Sequence, residues 1–290
     1  MNSLQQARIR SAFNRAAPRY AAAAHLQKHV AEVLVHGLQN YNAEHARRQR
    51  PSDQLVDQLV DRLEDQSVDQ SVNRLLDIGA GTGFVSNLLQ QHYPHAQCVA
   101  VDLAPAMLQC LRAELPATAL VCADAQSLPL AAKSFSIAAS SLAFQWCADI
   151  AQVFKQCARV LQSDGVLAFA TFLPGTLAEL NQAWQHVDAG RHVNSCLPQV
   201  ELQAQLEQAG FAEIQWQLRT EHTYYETVDQ LLLELRTIGA NTVVMSELAE
   251  STAQRTLPRN IKQQLARAYP LVNGQYQATW QIAYAYARIP

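Results

Sequence analysis

Asp77, Gly79, Gly81, Gly83 and Asp102 are the residues whose types and spacing could do chemistry. The glycines alternate in Gly79-Ala80-Gly81-Thr82-Gly83, straight after the apolar run Leu75-Leu76-Asp77-Ile78. Glycine has no Cβ, so such a loop can adopt left-handed torsions and bring main-chain groups close to a ligand. A second apolar run, residues 97–101, ends on Asp102, where a carboxylate can accept both hydroxyls of a ribose. Between them, Phe84–His92 carries Phe84, Val85, Leu88 and Leu89 at one-face helical spacing, and Pro94 closes the segment. Strand, glycine loop, helix and strand with a terminal acid make half of a nucleotide-binding βαβ unit. The spacing is G-x-G-x-G, so the third glycine offset of a dinucleotide fingerprint is missing.

The elements that must position these residues extend on both sides. Beyond Asp102, a turn opens a helix from Pro105 to about Leu115, and the apolar run 119–123 ends at Asp124-Ala125. That acid also suits a helix N-cap. A strand over 137–142 leads into Ala143-Phe144-Gln145-Trp146-Cys147. The helix 149–161 follows, then the turn Ser163-Asp164-Gly165 and a strand over 166–172. Helices are expected at 177–189 and 198–210. The last two strands are expected within 211–223, and a closing strand at 276–287. Upstream, 4–38 reads as one or two helices broken at Pro18, with Phe13 and Tyr20 standing out from an alanine-rich background.

The D-x-G-x-G-x-G pattern resembles motif I of the class I S-adenosylmethionine-dependent methyltransferases, as does Arg159-Val160-Leu161 followed by Asp164-Gly165 and Leu167. The resemblance implies an α/β fold: a Rossmann-like, seven-stranded sheet flanked by helices, with an N-terminal helical lid and a helical cap. The implied divisions are a lid at 1–40, an acidic repeat insertion at 41–73 and a cofactor-binding core at 74–223. A substrate cap at 224–270 and a closing strand at 271–290 complete them. S-adenosylmethionine would be held by Asp77, Gly79, Gly81, Gly83, Asp102, Leu103, Met107, Asp124, Ala125 and Ser141. Asp124 would meet the adenine amine, with Ala125 leaving room for the ring.

A narrower resemblance runs over nearly the whole chain. Ala12-Phe13-Asn14-Arg15-Ala16-Ala17-Pro18-Arg19-Tyr20, Leu128-Pro129-Leu130, Gln145-Trp146-Cys147 and 175–180 are similar to the malonyl-acyl-carrier-protein O-methyltransferases of biotin synthesis. Ala183-Trp184-Gln185, His192, Asn194 and Ile238-Gly239-Ala240 continue the likeness, whereas Ser195-Cys196 departs from it. It implies methyl transfer to the free carboxylate of a malonyl thioester on acyl carrier protein, or on coenzyme A. Tyr20 would close the pocket, with Gln145 and Trp146 as its wall. His192 and Arg236 are the candidates for the substrate carboxylate. An acidic carrier would need a basic docking face, for which Lys155, Arg159, Arg255, Arg259 and Lys262 are candidates.

Composition bounds the alternatives. The chain has 290 residues, 49% of them apolar, and a net charge of −3, which gives no general reason to expect a nucleic-acid partner. No uninterrupted apolar run is long enough for a membrane span, and the N-terminus has no secretory h-region. The six cysteines form no C-x-x-C pair, which suits a cytoplasmic protein with reduced thiols. No metal site is expected. Residues 53–72 repeat Asp-Gln-hydrophobe-Val with small variations; a period of four drifts around a helix, so no apolar stripe forms. Two rivals remain. One is a methyltransferase acting on a small carboxylic acid or quinone precursor, the other a cofactor-binding scaffold without turnover.

Overall fold

The computed structural model describes residues 3–49, 72–188, 192–240 and 259–290. Its centre is a sheet of eight strands in the order β3-β2-β1-β4-β5-β8-β6, with the short β7 paired to β8. The strands are β1 (Arg74–Ile78), β2 (Gln97–Asp102), β3 (Ala119–Cys122), β4 (Phe135–Ser141), β5 (Leu161–Phe172), β6 (Ala212–Tyr225), β7 (Leu271–Val272) and β8 (Gln275–Arg288). The first five are parallel, and β8 runs antiparallel between β5 and β6. The central strand β1 is buried from Leu75 to Ile78, which is why it reads as an apolar run broken only by Asp77.

Helices cover both faces. They are α1 (Ser3–Ala23), α2 (His25–Gln49), α3 (Phe84–His92), α4 (Pro105–Glu114), α5 (Ile150–Val160), α6 (Ala178–Gln185), α7 (Gln199–Gln208), α8 (Val228–Thr237) and α9 (Arg259–Ala268). One apolar layer joins α2, α3, α6, α8 and α9 to the sheet through Leu34, Leu89, Leu180, Leu231 and Leu265. The opposite layer packs α5 and α7 through Val153, Phe154, Leu202 and Leu206 against Phe135 and Phe169. No helix among the described residues is long and apolar enough to cross a membrane.

Several sequence expectations shift. Helix α1 runs through Pro18 and breaks at Ala24 instead. Burial of Ile9, Ala12, Ala16 and Ala17 on its underside offsets the roughly 3 kcal/mol that an interior proline costs. Of the lid expected at 1–40, α2 is instead a core layer, with Val30, Ala31 and Leu34 fully buried. Helix α2 also passes the expected boundary at 40, because Tyr41 is buried, stacks on Tyr286 and donates to Glu213 O at 2.9 Å. The repeat, apart from Val72, lies outside the described residues, as do 241–258 of the expected cap. Residues 211–223 give one strand rather than two, since β6 keeps pairing with β8 from Gln215 through Tyr225. The turn at Ser163-Asp164-Gly165 is absorbed into β5.

Candidate active site

The strand order reverses between β1 and β4, and the carboxyl ends of the strands around that switch open into a cleft. The glycine loop forms its floor. Gly79 and Ala80 N–H both donate to Val101 O, at 2.8 and 3.0 Å, which ties the loop to the end of β2. Gly79 adopts φ +72°, and a Cβ there would lie 2.2 Å from Ala143 Cβ. Asp102 accepts from Gly81 N at 2.8 Å through one oxygen and from Ala104 N at 2.7 Å through the other. Each carboxylate oxygen has a second acceptor direction, so the acid can brace the loop and still receive a ligand hydroxyl. Burial pushes its pKa up, against the backbone hydrogen bonds that favour the charged form.

Helix α1 roofs the cleft. Ile9, Phe13 and Tyr20 line it, spaced so that they share one helical face. Tyr20 stacks on Phe84 with ring centroids 6.4 Å apart, above Gly81. Burial raises its phenol far above the usual tyrosine value, and the nearby Asp102 charge adds to that, so the hydroxyl stays protonated. Phe13 meets Trp146 edge-on at 5.4 Å and packs on Gly239, just beyond α8. Gln6 donates to Asp124 Oδ2 at 2.6 Å, and Asn14 accepts from Ala106 N at 3.0 Å. These contacts fix α1 across residues about a hundred positions away in the chain.

The structure brings together Tyr20, Trp146, Gly79, Gly81, Asp102, Leu103, Met107, Asp124, Ala125 and Ser141 around the cleft. Ser141 Oγ is buried there without a hydrogen-bond partner, a polar group that a ligand could satisfy. Five sequence candidates lie elsewhere. Asp77 points beneath the loop, accepting from Ser86 N at 2.9 Å and Ser86 Oγ at 2.6 Å, so it anchors the start of α3. Burial lifts its pKa to about 7, and the Ser86 hydrogen bonds oppose that rise. Gly83 caps α3 in a left-handed conformation, facing Leu111. Gln145 braces the wall from behind, donating to Leu142 O at 2.7 Å and accepting from Thr171 Oγ1 at 3.3 Å. His192 stacks on Trp184 at 3.7 Å and contacts Asp188 at 2.7 Å. Arg236 is exposed in the last turn of α8.

Sequence reasoning missed Gln126, which bonds Asp124 through main chain and side chain and also accepts from Asp149 N at 3.0 Å. It missed Ile9 and Gln6 as well; only Ile9 had a signal, the spacing it shares with Phe13 and Tyr20, whereas Cys147 lay in the segment 143–147 already singled out. Two expected docking cations are engaged. Arg159 donates to Leu128 O and Leu130 O at 2.8 and 2.7 Å, and Lys262 pairs with Asp229 at 2.5 Å. Lys155 is exposed, whereas Arg255 and the side chain of Arg259 lie outside the described residues.

A family model described as a methyltransferase domain matches residues 76–169. A malonyl-[acyl-carrier protein] O-methyltransferase from Laribacter hongkongensis is 33% identical, covering 98% of this chain and 90% of its own. One of the same name from Methylococcus capsulatus is 38% identical over 71% of this chain and 74% of its own. Among solved structures, the YcgJ protein from Bacillus subtilis aligns with a TM-score of 0.51 at 19% identity, over 78% of this chain and 96% of that one. A methyltransferase structure from Bacillus halodurans aligns at 0.52 and 21%, over 79% and 97%. Together with the strand order, these establish the class I methyltransferase fold.

Proposed function

The chain belongs to the malonyl-[acyl-carrier protein] O-methyltransferase family, and from that premise we propose that it moves a methyl group from S-adenosylmethionine to the free carboxylate of a malonyl thioester carried by acyl carrier protein. The observation that carries the reading is relatedness over 98% of the chain, including the helix that roofs the cleft. The product, a malonyl methyl ester, has lost its terminal charge and so suits chain elongation as a primer in biotin synthesis.

The residues present fit S-adenosylmethionine. The glycine floor leaves main chain exposed to the cleft, Asp102 and Asp124 offer acceptors, and Ser141 Oγ is unpartnered. When bound, that molecule supplies a methyl carbon made electrophilic by its sulfonium. Asp102 would hold the ribose hydroxyls and Asp124 the adenine amine, with Ala125 beside it. Leu103 and Met107 would pack against the bound cofactor.

A malonyl carboxylate is ionised near neutral pH, so no general base is required. What the chain must provide is alignment and dryness. Tyr20, protonated and over the glycine loop, can donate to one carboxylate oxygen and leave the other to react. Phe13 and Trp146 form an apolar wall that keeps water from the reacting atoms, and Gln145 fixes that wall by its bonds to Leu142 and Thr171. His192 and Arg236 stand outside the cleft lining; as substrate contacts they would act on the carrier side of the thioester. All six cysteines are free thiols, which supports a reducing, cytoplasmic setting.

Incubation with methyl-labelled S-adenosylmethionine and either malonyl-acyl carrier protein or malonyl-coenzyme A tests the reading. Base-labile label should appear on the carrier-bound thioester, at a higher rate than on the coenzyme A thioester. No label on either, with cofactor binding intact, would refute it.

A further inference from the structure

We propose that the outer face of α1 is the docking surface for the carrier protein, and that the carrier meets it with an acidic surface; this rests on the carrier-bound substrate proposed above. The first thirty-one residues hold five of the chain's 22 lysines and arginines (Arg8, Arg10, Arg15, Arg19 and Lys28) and none of its 25 acids. The chain as a whole is acidic by three charges, so the concentration is local. All four arginines of α1 are exposed, while Ile9, Ala12, Ala16 and Ala17 turn inward. Arg8, Arg15 and Arg19 recur at intervals of seven and four, which places them on one stripe of the helix.

The helix dipole does not call for cations at Arg10, Arg15 and Arg19. None of these arginines lies in the last turn, where a cation would complement the helix dipole, and the first turn holds no acid. Arg15 and Arg19 are a like-charge pair one turn apart, an arrangement that weakens a helix. Arg15 bonds the Ser11 hydroxyl at 2.6 Å, and among the described residues no carboxylate pairs with Arg10, Arg15 or Arg19. Of the cations first expected to serve this purpose, Arg159 and Lys262 are already engaged, whereas Lys155 is exposed on α5.

Location completes the argument. The underside of α1 lines the cleft through Ile9, Phe13 and Tyr20, so its outer face is separated from the cleft by roughly one helix diameter, about 10 Å. A carrier held there delivers its tethered thioester at the mouth of the cleft. The phosphodiester that joins such a tether to its carrier is itself an anion, and it meets the same cations. A long-range positive field at the entrance also raises the encounter rate with an acidic partner.

The double reversal Arg15→Glu/Arg19→Glu tests this with two substrates, malonyl-acyl carrier protein and malonyl-pantetheine, which keeps the thioester and lacks the carrier. The kcat/KM on the carrier substrate should fall by about tenfold or more, with the difference shrinking as salt is raised. Turnover of malonyl-pantetheine and affinity for S-adenosylmethionine should stay within about twofold, because neither needs the docking face. Lys133→Glu, a reversal of exposed charge elsewhere, should change neither substrate. An equal fall on both substrates, or no fall on the carrier substrate, overturns the proposal. If the wild-type enzyme turns over neither substrate, it is the function reading that fails. Anisotropy titration with fluorescent malonyl-carrier then decides docking: binding abolished by the reversal supports it, and unchanged binding overturns it.

Discussion

Gly79→Ala should damage both the fold and the cleft, and the structure sets the scale of each effect. The added Cβ would stand 2.2 Å from Ala143 Cβ, so the loop and the segment after β4 must separate by more than an ångström. Alanine at φ +72° adds left-handed strain of about 1–2 kcal/mol. Relief of the overlap adds about 1–3 kcal/mol, typical of an overpacked site. A loss of about 2–5 kcal/mol in urea unfolding is therefore expected. The displaced segment carries Leu142 and Ala143, both in the cleft lining, so S-adenosylmethionine affinity by calorimetry should fall about a hundredfold. Gly81→Ala is the companion. Its Cβ would meet only Tyr20 Cε1, at 4.0 Å, so stability should fall by the strain alone, about 1–2 kcal/mol. Adding Ala143→Gly to Gly79→Ala removes the colliding methyl and should restore part of the lost stability. A Gly79→Ala protein as stable and as tight-binding as the wild type would refute the reasoning, because the close approach would then impose nothing.

Asp77 should give stability a pH dependence. Its folded pKa is raised to about 7, so the folded state keeps a proton that the unfolded chain releases from about pH 4. That contribution is fully present below pH 4 and is lost as pH rises to 7; Asp77→Asn should flatten the unfolding free energy across this window. Arg159→Ala leaves Leu128 O and Leu130 O without their donor and should cost about 1–3 kcal/mol in thermal or urea unfolding, with KM for the carrier substrate unchanged. Phe13→Ala removes the contacts to Trp146 and Gly239; single-turnover assays should show methyl transfer slowed by about tenfold or more, with S-adenosylmethionine still bound.

The features legible in the sequence are those set by short-range demands. A loop that must take φ of +72°, +55° and +98° within five residues asks for glycines there, and these were visible at once. A central parallel strand buried on both faces is mostly apolar, so β1 and β2 announced themselves, and Asp102 followed from the end of β2. Tyr20 and Trp146 came through resemblance; nothing in their local sequence says that they share a cleft.

What tertiary structure decided lies between distant residues. Two acids ended or punctuated apolar strands, yet Asp77 turns under the loop to Ser86 while Asp102 turns to the cleft, a choice that follows from the alternation of side chains along a strand and its neighbours. Arg159 was as plausible on a docking face as in a turn until two carbonyls thirty residues upstream claimed it. Gln126 and Gln6 converge on Asp124 from separate segments, with no pattern to mark either. The roof itself is a matter of packing: Pro18 should have broken α1, and the buried underside of the helix outweighs that local preference. Sequence determined the floor of the site, because backbone torsion and strand burial act over a few residues. Structure decided its roof and its braces, because the contacts that hold them join segments that only the fold brings together, such as Gln6 with Asp124 and Phe13 with Trp146.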